Sequence, residues 1–376
     1  MIKTNIEQLN EFGQSVWLDC ISRSLIDTGK LKSLIAQGVR GLTSNPTIFD
    51  KAISKSNDYD QYIKALKEKR KSTFEIYDDV TVRDIQDAAD TFGEIYEATH
   101  GNDGYVSLEI NPMLAQDREK TVAEGKRLYA KVKRANVMFK VPSTDAGFSA
   151  VTALLAEGIN VNVTLIFSLQ QYVKTADAYL KGVGKLLERG GNASRVRSVA
   201  SVFVSRVDTL TDDLIDAKLP TLSDDAQKVQ LAKLKGTAAT ANAALIYSKY
   251  LEIFSGEMYN NLQRQGGSIQ RLLWGSTSTK NPAYDDIKYI TELIGKNTVN
   301  TVPEKTLEAF LDHGRIAEAL PGDIRQAQDI IEGLGRFGIY IEDVCNKLLE
   351  DGVVAFQESF ASLLKAIEEK AAKLGK

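Results

Sequence analysis

Short apolar runs alternate with longer amphipathic segments along this chain. Each run is too short for a typical helix and is rich in β-branched or aromatic residues, so it is predicted to be a strand. The segments between the runs have apolar residues at helical spacing. The eight predicted strands are residues 15–20, 39–44, 105–110, 137–142, 159–167, 198–205, 271–277 and 298–302.

Helices are predicted between these strands and at both ends of the chain. We expect two or three of them in residues 48–99, and an amphipathic helix over 353–374 should close the chain. Ser168 is placed to cap the helix that follows the fifth strand. The other predicted helical segments are residues 1–14, 31–37, 117–133, 147–157, 208–259 and 284–294, with helix throughout after Pro303.

Alternating strands and helices favour a parallel sheet with right-handed crossovers. Eight such units suggest a closed (β/α)8 barrel of the TIM type, decorated by extra helices at both ends. No internal repeat or linker divides the sequence, so we expect one domain over residues 1–376.

The composition narrows the class of protein. Hydrophobic residues make up 43% and charged residues 26% of the chain, the balance of a soluble globular protein. A net charge of -3 argues against a nucleic-acid-binding surface as the main function. No apolar run approaches the length of a membrane span, and the amino terminus lacks the apolar core of a signal peptide.

Cysteine and histidine are scarce. Cys20 and Cys345 cannot build a disulfide framework, so the simplest interpretation is a reduced, cytoplasmic protein. His100 and His313 are the only histidines, which disfavours a zinc site or a Ser-His-Asp triad.

One predicted strand contains a single charged residue, Lys140, between Phe139 and Val141. Burial disfavours the charged form of an amine, and a neutral amine can attack a carbonyl and form a Schiff base. Pro142 cannot donate to a sheet ladder, so the strand should end there and leave Lys140 near its carboxyl end. The alternative is a lysine whose amine reaches water at the strand end.

Other polar residues also fall late in successive strands. Parallel strands covered on both faces should be almost wholly apolar, so these exceptions should converge at one end of the barrel. Simple structural roles remain open: Asn45 can shape a turn, Asp19 can cap a helix and Thr164 can be an ordinary strand residue. The set comprises Asp19, Asn45, Glu109, Lys140, Asn162, Thr164 and Ser201.

Arg206 and Lys280 follow the sixth and seventh strands. Late loops of such barrels often bind phosphate, and a guanidinium and an amine beside the hydroxyls of Ser276 and Thr277 would suit a phosphate dianion. Two ordinary surface cations are the alternative.

Two long segments resemble the signatures of the transaldolase family. The first is Gly-Leu-Thr-Ser-Asn-Pro-Thr-Ile-Phe at residues 41–49. The second is Phe-Lys-Val-Pro-Ser-Thr at 139–144, followed by Gly147 and by 158–168. Residues 17–19, 274–282 and 297–303 are similar to the longer bacterial branch, so the resemblance runs through nearly the whole chain.

The resemblance implies a class I aldolase-type barrel of the pentose phosphate pathway. Such an enzyme transfers a dihydroxyacetone unit from sedoheptulose 7-phosphate to glyceraldehyde 3-phosphate, giving erythrose 4-phosphate and fructose 6-phosphate. It implies no cofactor and no metal, because a protonated imine is itself the electron sink.

The same resemblance implies a role for each site residue. Lys140 would form the Schiff base, Asp19 would take the C4 hydroxyl proton, and Glu109 with Thr164 would relay protons through a water. The substrate would be bound by Asn45, Asn162, Ser201, Phe203, Arg206, Lys280 and Ser276. Lys280 departs from the pattern, since shorter family members carry an arginine after the seventh strand.

Two alternatives stay open. A fructose 6-phosphate aldolase of the same superfamily would cleave and release, although Glu109 and Phe203 resemble the transaldolase pattern. A catalytically inactive barrel that binds sugar phosphates or a protein partner would have no use for Lys140. We expect sugar phosphates as the ligands, and either a monomer or a homodimer.

Overall fold

The computed structural model describes residues 3–374 and confirms the predicted barrel. Eight parallel strands pair in sequence order, and the first pairs with the last to close the sheet. Six of them end one or two residues earlier than predicted. The strands are β1 Gln14–Leu18, β2 Gly41–Thr43, β3 Tyr105–Glu109, β4 Val137–Pro142, β5 Val161–Ile166, β6 Ser198–Phe203, β7 Arg271–Gly275 and β8 Thr298–Val302.

Helices fill the connections and both flanks. Within residues 3–374, no helix is both long and apolar enough to cross a membrane. The helices are α1 Asn5–Phe12, α2 Arg23–Asp27, α3 Lys30–Ala36, α4 Pro46–Ser54, α5 Asp60–Glu68, α6 Thr73–Thr91, α7 Gly93–Ala98, α8 Arg118–Val132, α9 Asp145–Leu155, α10 Leu169–Glu188, α11 Ser205–Lys218, α12 Asp225–Ala232, α13 Ala238–Ser255, α14 Glu257–Arg264, α15 Lys288–Thr291, α16 Glu304–His313, α17 Ile324–Arg336 and α18 Ile341–Leu374.

Three helix predictions are wrong. Residues 48–99 contain parts of four helices rather than two or three, because Ser72 and Glu75 form a capping box that starts a new helix. Residues 284–294 contain only the short α15, since Asp285 accepts a hydrogen bond from the Ile287 amide and holds a turn there. Residues 314–323 lie outside any helix.

The last helix is much longer than predicted. It spans 34 residues from Ile341, whereas the sequence suggests a start at 353. Gly352 lies inside it, and a Cβ built there would meet Leu165 Cδ2 at 3.0 Å. The glycine therefore allows close packing on the barrel rather than ending the helix.

Alternate strand residues fill the barrel interior in layers. A middle layer is mostly apolar and contains the large ring of Trp17, whose Nε1 donates to Asp103 at 3.2 Å. Gly41 on the neighbouring strand leaves room for that ring, since a Cβ there would lie 2.6 Å from it. The layer consists of Trp17, Tyr105, Met138, Val199, Leu273 and Val299.

A buried ion pair closes the amino end of the barrel below this layer. Arg271 Nη1 lies 3.1 Å from Asp103 Oδ1, and both side chains are buried. Arg271 also donates to the Ser15 hydroxyl at 2.7 Å and to the Thr298 carbonyl at 2.6 Å. These bonds compensate the desolvated charges, so the network is structural.

Helix α18 crosses the opposite, carboxyl end. Its Ser359 hydroxyl lies 2.8 Å from the Thr47 hydroxyl, after β2. Gln357 donates to the Pro112 carbonyl, after β3, at 3.2 Å, and Glu342 accepts from Ser168, after β5, at 3.0 Å. The helix is thus attached to loops on several sides of the barrel mouth.

Candidate active site

A cavity of about 530 Å³ opens at the carboxyl end of the barrel. Most of the predicted site residues line it, although they come from six strands and the turns that follow them. Glu109 and Asn162 are not on its wall, but they contact Lys140 and Ser201, which are. The predicted residues on the wall are Asp19, Asn45, Lys140, Thr164, Ser201, Phe203, Arg206, Ser276 and Lys280.

Lys140 is buried beside the cavity, with 4% of its surface exposed. It lies two residues before the end of β4, because Pro142 ends that strand as predicted. Its Nζ donates to the Ser44 carbonyl at 3.0 Å and forms an ion pair with Glu109 Oε2 at 3.0 Å. An amine held this way has a proton acceptor beside it and a cavity in front of it.

Glu109 reaches Lys140 from the adjacent strand, where the two residues are register partners. Burial raises the pKa of the Glu109 carboxyl, and the charge of Lys140 opposes that shift. The carboxyl is therefore easier to protonate than an exposed glutamate. This suits a group that accepts a proton from the amine and returns it.

Thr164 also lines the cavity. Its Oγ1 is buried and makes no hydrogen bond to another residue within 3–374. The next residue, Leu165, has a φ of 60°, and the register of β5 against β6 shifts between Val163 and Ile166. This bulge leaves the Thr164 hydroxyl at the cavity wall, where a water or substrate can satisfy it.

Asp19 follows β1 on another side of the cavity. Its Oδ1 accepts a hydrogen bond from Thr43 at 2.8 Å, and the Thr301 hydroxyl lies 2.8 Å from Thr43. Burial raises the pKa of the Asp19 carboxyl. The Thr43 hydrogen bond and the charges of Lys140, Lys280 and Arg206 lower it in part.

The amides and hydroxyl of the site have defined partners. Asn45 Oδ1 caps α4 by accepting from the Ile48 amide at 2.9 Å, and Pro46 begins that helix. Asn45 therefore has the structural role considered for it at the turn before Pro46, and it also lines the cavity. Asn162 accepts from Ser201 at 2.6 Å and donates to Ser107 at 3.1 Å, which leaves one N–H on Nδ2.

Cations gather at the cavity mouth. Arg206 lies in the first turn of α11, and its guanidinium stands 5.5 Å from the centre of the Phe203 ring. Lys280 donates to Ser278 at 2.6 Å. Desolvation and the nearby charge of Arg206 lower the pKa of Lys280, so a bound anion would stabilise both cations.

The two hydroxyls considered for phosphate binding differ. Ser276 lines the cavity with a φ of 53°, and its hydroxyl lies 3.0 Å from that of Ser205. Thr277 is buried and donates to the Thr301 carbonyl at 2.8 Å. Only Ser276 is therefore available to a ligand.

Several residues of the site were not predicted. Thr43 and Ser44 lie in a predicted strand and could have been noted as polar strand-end residues. Lys51 also lines the cavity, as does Phe356 from α18, and no local pattern connects either to the barrel mouth. Among residues 3–374, no cluster of His, Cys, Asp and Glu is arranged to hold a metal ion.

Comparison with known proteins agrees with this geometry. Residues 16–367 match the sequence model of a family described as transaldolase/fructose-6-phosphate aldolase. A transaldolase of Trichodesmium erythraeum is 43% identical over 100% of this chain and 99% of its own length. A transaldolase of Saccharopolyspora erythraea is 43% identical over 98% of both chains.

Proposed function

The chain belongs to the transaldolase/fructose-6-phosphate aldolase family and is an enzyme of the transaldolase kind; we propose that it transfers a dihydroxyacetone unit between sugar phosphates through a Schiff base on Lys140. The observation that carries this proposal is the buried Lys140–Glu109 pair at the wall of a cavity with a cationic mouth. The donor and acceptor would be sedoheptulose 7-phosphate and glyceraldehyde 3-phosphate, as the family resemblance implies.

Imine formation begins with a proton transfer from Lys140 to Glu109. The neutral Nζ adds to the C2 carbonyl of the ketose and gives a carbinolamine. Its hydroxyl leaves as water with the proton that Glu109 returns, and a protonated imine remains on Lys140. A water at Thr164 Oγ1 would relay these protons, which accounts for that buried hydroxyl having no partner in the described chain.

Cleavage uses the second carboxylate. Asp19 takes the proton of the C4 hydroxyl, the C3–C4 bond breaks, and its electron pair moves through C2 to the imine nitrogen. The products of this step are a free aldehyde and a neutral enamine on Lys140. The raised pKa of Asp19 makes it a better base than an exposed aspartate.

Transfer reverses these steps with a new aldehyde. The enamine carbon attacks the acceptor, the new alkoxide takes the proton from Asp19, and water then hydrolyses the imine. Asn45, Asn162 and Ser201 would hold the hydroxyls of the dihydroxyacetone unit, because Asn45 and Ser201 line the same cavity as Lys140 and Asn162 keeps one N–H beside Ser201.

The phosphate would bind at the cavity mouth. Arg206, Lys280 and Ser276 supply two positive charges and a hydroxyl, and Phe203 supports the guanidinium with its ring. Charge-assisted hydrogen bonds of this kind also orient the sugar chain toward Lys140.

We further propose a cytoplasmic protein that acts as a monomer or a homodimer. The scarcity of cysteine supports the location. The alternative, a fructose 6-phosphate aldolase, is not favoured by the relatives named above, which are transaldolases.

A product assay tests the proposed function. Fructose 6-phosphate with erythrose 4-phosphate should yield sedoheptulose 7-phosphate, and omission of the acceptor should yield little free dihydroxyacetone. Release of dihydroxyacetone at the same rate with and without acceptor would instead identify an aldolase.

A further inference from the structure

Phe356 is the one aromatic residue of α18 on the cavity wall, and none of the steps above uses it. It is buried, with 4% of its surface exposed. The centre of its ring lies 5.7 Å from Lys140 Nζ. The residue therefore lies against the atom that would carry the substrate.

The helix holds this ring firmly in place. Gly352 is four residues earlier and so lies on the same face of α18. It packs against Leu165, next to Thr164. Gln357 and Ser359, one and three residues after Phe356, bond to the loops after β3 and β2. Phe356 therefore lies on a segment of α18 that contacts the barrel at several points.

Lys140 Nζ has polar groups on one side and an aromatic ring on another. Glu109 and the Ser44 carbonyl contact the amine and form a polar side, where protons and a water are needed. The Phe356 ring forms an apolar side. The Phe356 ring therefore closes one side of Lys140 to water, while Glu109 and the cavity adjoin the amine elsewhere.

We propose that Phe356 keeps water from the enamine on Lys140 and so favours transfer over release. This inference rests on the proposed function. Release requires protonation of the enamine at C3, followed by addition of water to the imine carbon. The C–N bond then breaks to give dihydroxyacetone and the ammonium of Lys140. Each of these steps needs water at the adduct, and a dry apolar wall slows them.

The test compares Phe356→Ala with a matched control, Phe360→Ala. Phe360 is buried one turn later in the same helix, where its ring packs edge-on against Tyr77 at 5.1 Å between ring centres. Fructose 6-phosphate is supplied with erythrose 4-phosphate, and free dihydroxyacetone is measured against sedoheptulose 7-phosphate. The ratio of these products does not depend on how much of each variant is folded.

Phe356→Ala should raise the ratio of release to transfer by roughly tenfold, the change that about 1.4 kcal/mol of lost barrier produces. Phe360→Ala should keep the wild-type ratio. Phe356→Leu, which restores an apolar wall, should also keep it. If Phe356→Ala does not fold, Phe356→Gln fills more of the space while bringing polar atoms, and should raise the ratio in the same way.

An unchanged ratio in Phe356→Ala, or in Phe356→Gln where the alanine variant does not fold, would overturn the inference. An equal rise in Phe360→Ala would overturn it too, since the effect would then be a general loosening of α18. A failure of the proposed function is distinguishable, because the wild-type enzyme would then form no sedoheptulose 7-phosphate.

Discussion

The two carboxylates of the site lie in different surroundings, and this separates their chemistry. Glu109 is paired with Lys140 at 3.0 Å, whereas Asp19 is bonded to Thr43 and faces the cavity from β1. Burial raises the pKa of both carboxyls. Each can therefore accept a proton during turnover, but only Glu109 is in contact with the amine.

Single-turnover experiments should distinguish these roles. Asp19→Ala should still condense with fructose 6-phosphate but should not cleave it, so the imine should accumulate and be trappable with borohydride. Glu109→Ala should slow the appearance of the imine instead. General acid–base help is typically worth about 10²–10⁴-fold in rate, so both effects should be plain. The roles would have to be exchanged if Asp19→Ala formed no adduct while Glu109→Ala accumulated it.

At the scale of elements, the loop that carries Lys280 is fastened to the helix that carries Arg206. The Tyr284 hydroxyl donates to Asp212 Oδ2 at 2.6 Å, and Asp212 lies in α11. Asp212 Oδ1 accepts from the Gly236 amide at 2.9 Å. Gly236 has a φ of 69°, and a Cβ there would meet the Tyr284 ring at 2.7 Å.

Tyr284→Phe should loosen this loop and weaken phosphate binding. We expect KM for phosphorylated substrates to rise roughly twofold to tenfold, the effect of losing one hydrogen bond of about 0.5–1.5 kcal/mol. The kcat, and the KM for donors without phosphate, should change little. Steady-state kinetics with both kinds of donor measure this difference.

Tyr289→Phe is the matched control. Its hydroxyl makes the same kind of bond, to Asp208 at 2.8 Å, but Tyr289 lies in α15, beyond the loop. An equal rise in KM for both tyrosine variants, or a loss that does not depend on phosphate, would show that Tyr284 does not position the loop.

Strands were easier to predict than helices, and for physical reasons. The strands are short apolar runs, and Lys140 and Pro142 marked the site within one of them. Helix α18 begins twelve residues before the predicted start at 353, and Gly352, a poor helix former, lies inside it. Its packing on Leu165 overrides that preference. The approach of Phe356 to Lys140 depends on the whole fold, so no local pattern could reveal it.

At the scale of the whole molecule, the residues that stabilise the barrel and the residues of the active site lie at opposite ends. The amino end holds the Arg271–Asp103 network, and the carboxyl end holds the cavity, with the apolar layer around Trp17 between them. Changes at the amino end should therefore alter stability without altering the reaction. This separation is typical of such barrels.

Asp103→Ala tests this separation. It leaves Arg271 buried without its counter-ion, so we expect a loss of about 3–5 kcal/mol in the free energy of unfolding, measured by urea denaturation. The kinetic constants per folded molecule should stay near those of the wild type. Asp90→Ala is the control, because Asp90 pairs with Arg134 at the exposed surface and should cost at most about 1 kcal/mol. Equal costs for the two variants would contradict this account of the amino end.

Borohydride trapping tests the central claim most directly. Reduction in the presence of fructose 6-phosphate should convert the imine into a stable secondary amine, and peptide mass mapping should place the added dihydroxyacetone or ketose unit on Lys140 alone. The Lys140→Met variant should take up no label. Labelling of a different lysine, or no labelling of an enzyme that still transfers dihydroxyacetone, would contradict the Schiff-base mechanism at Lys140.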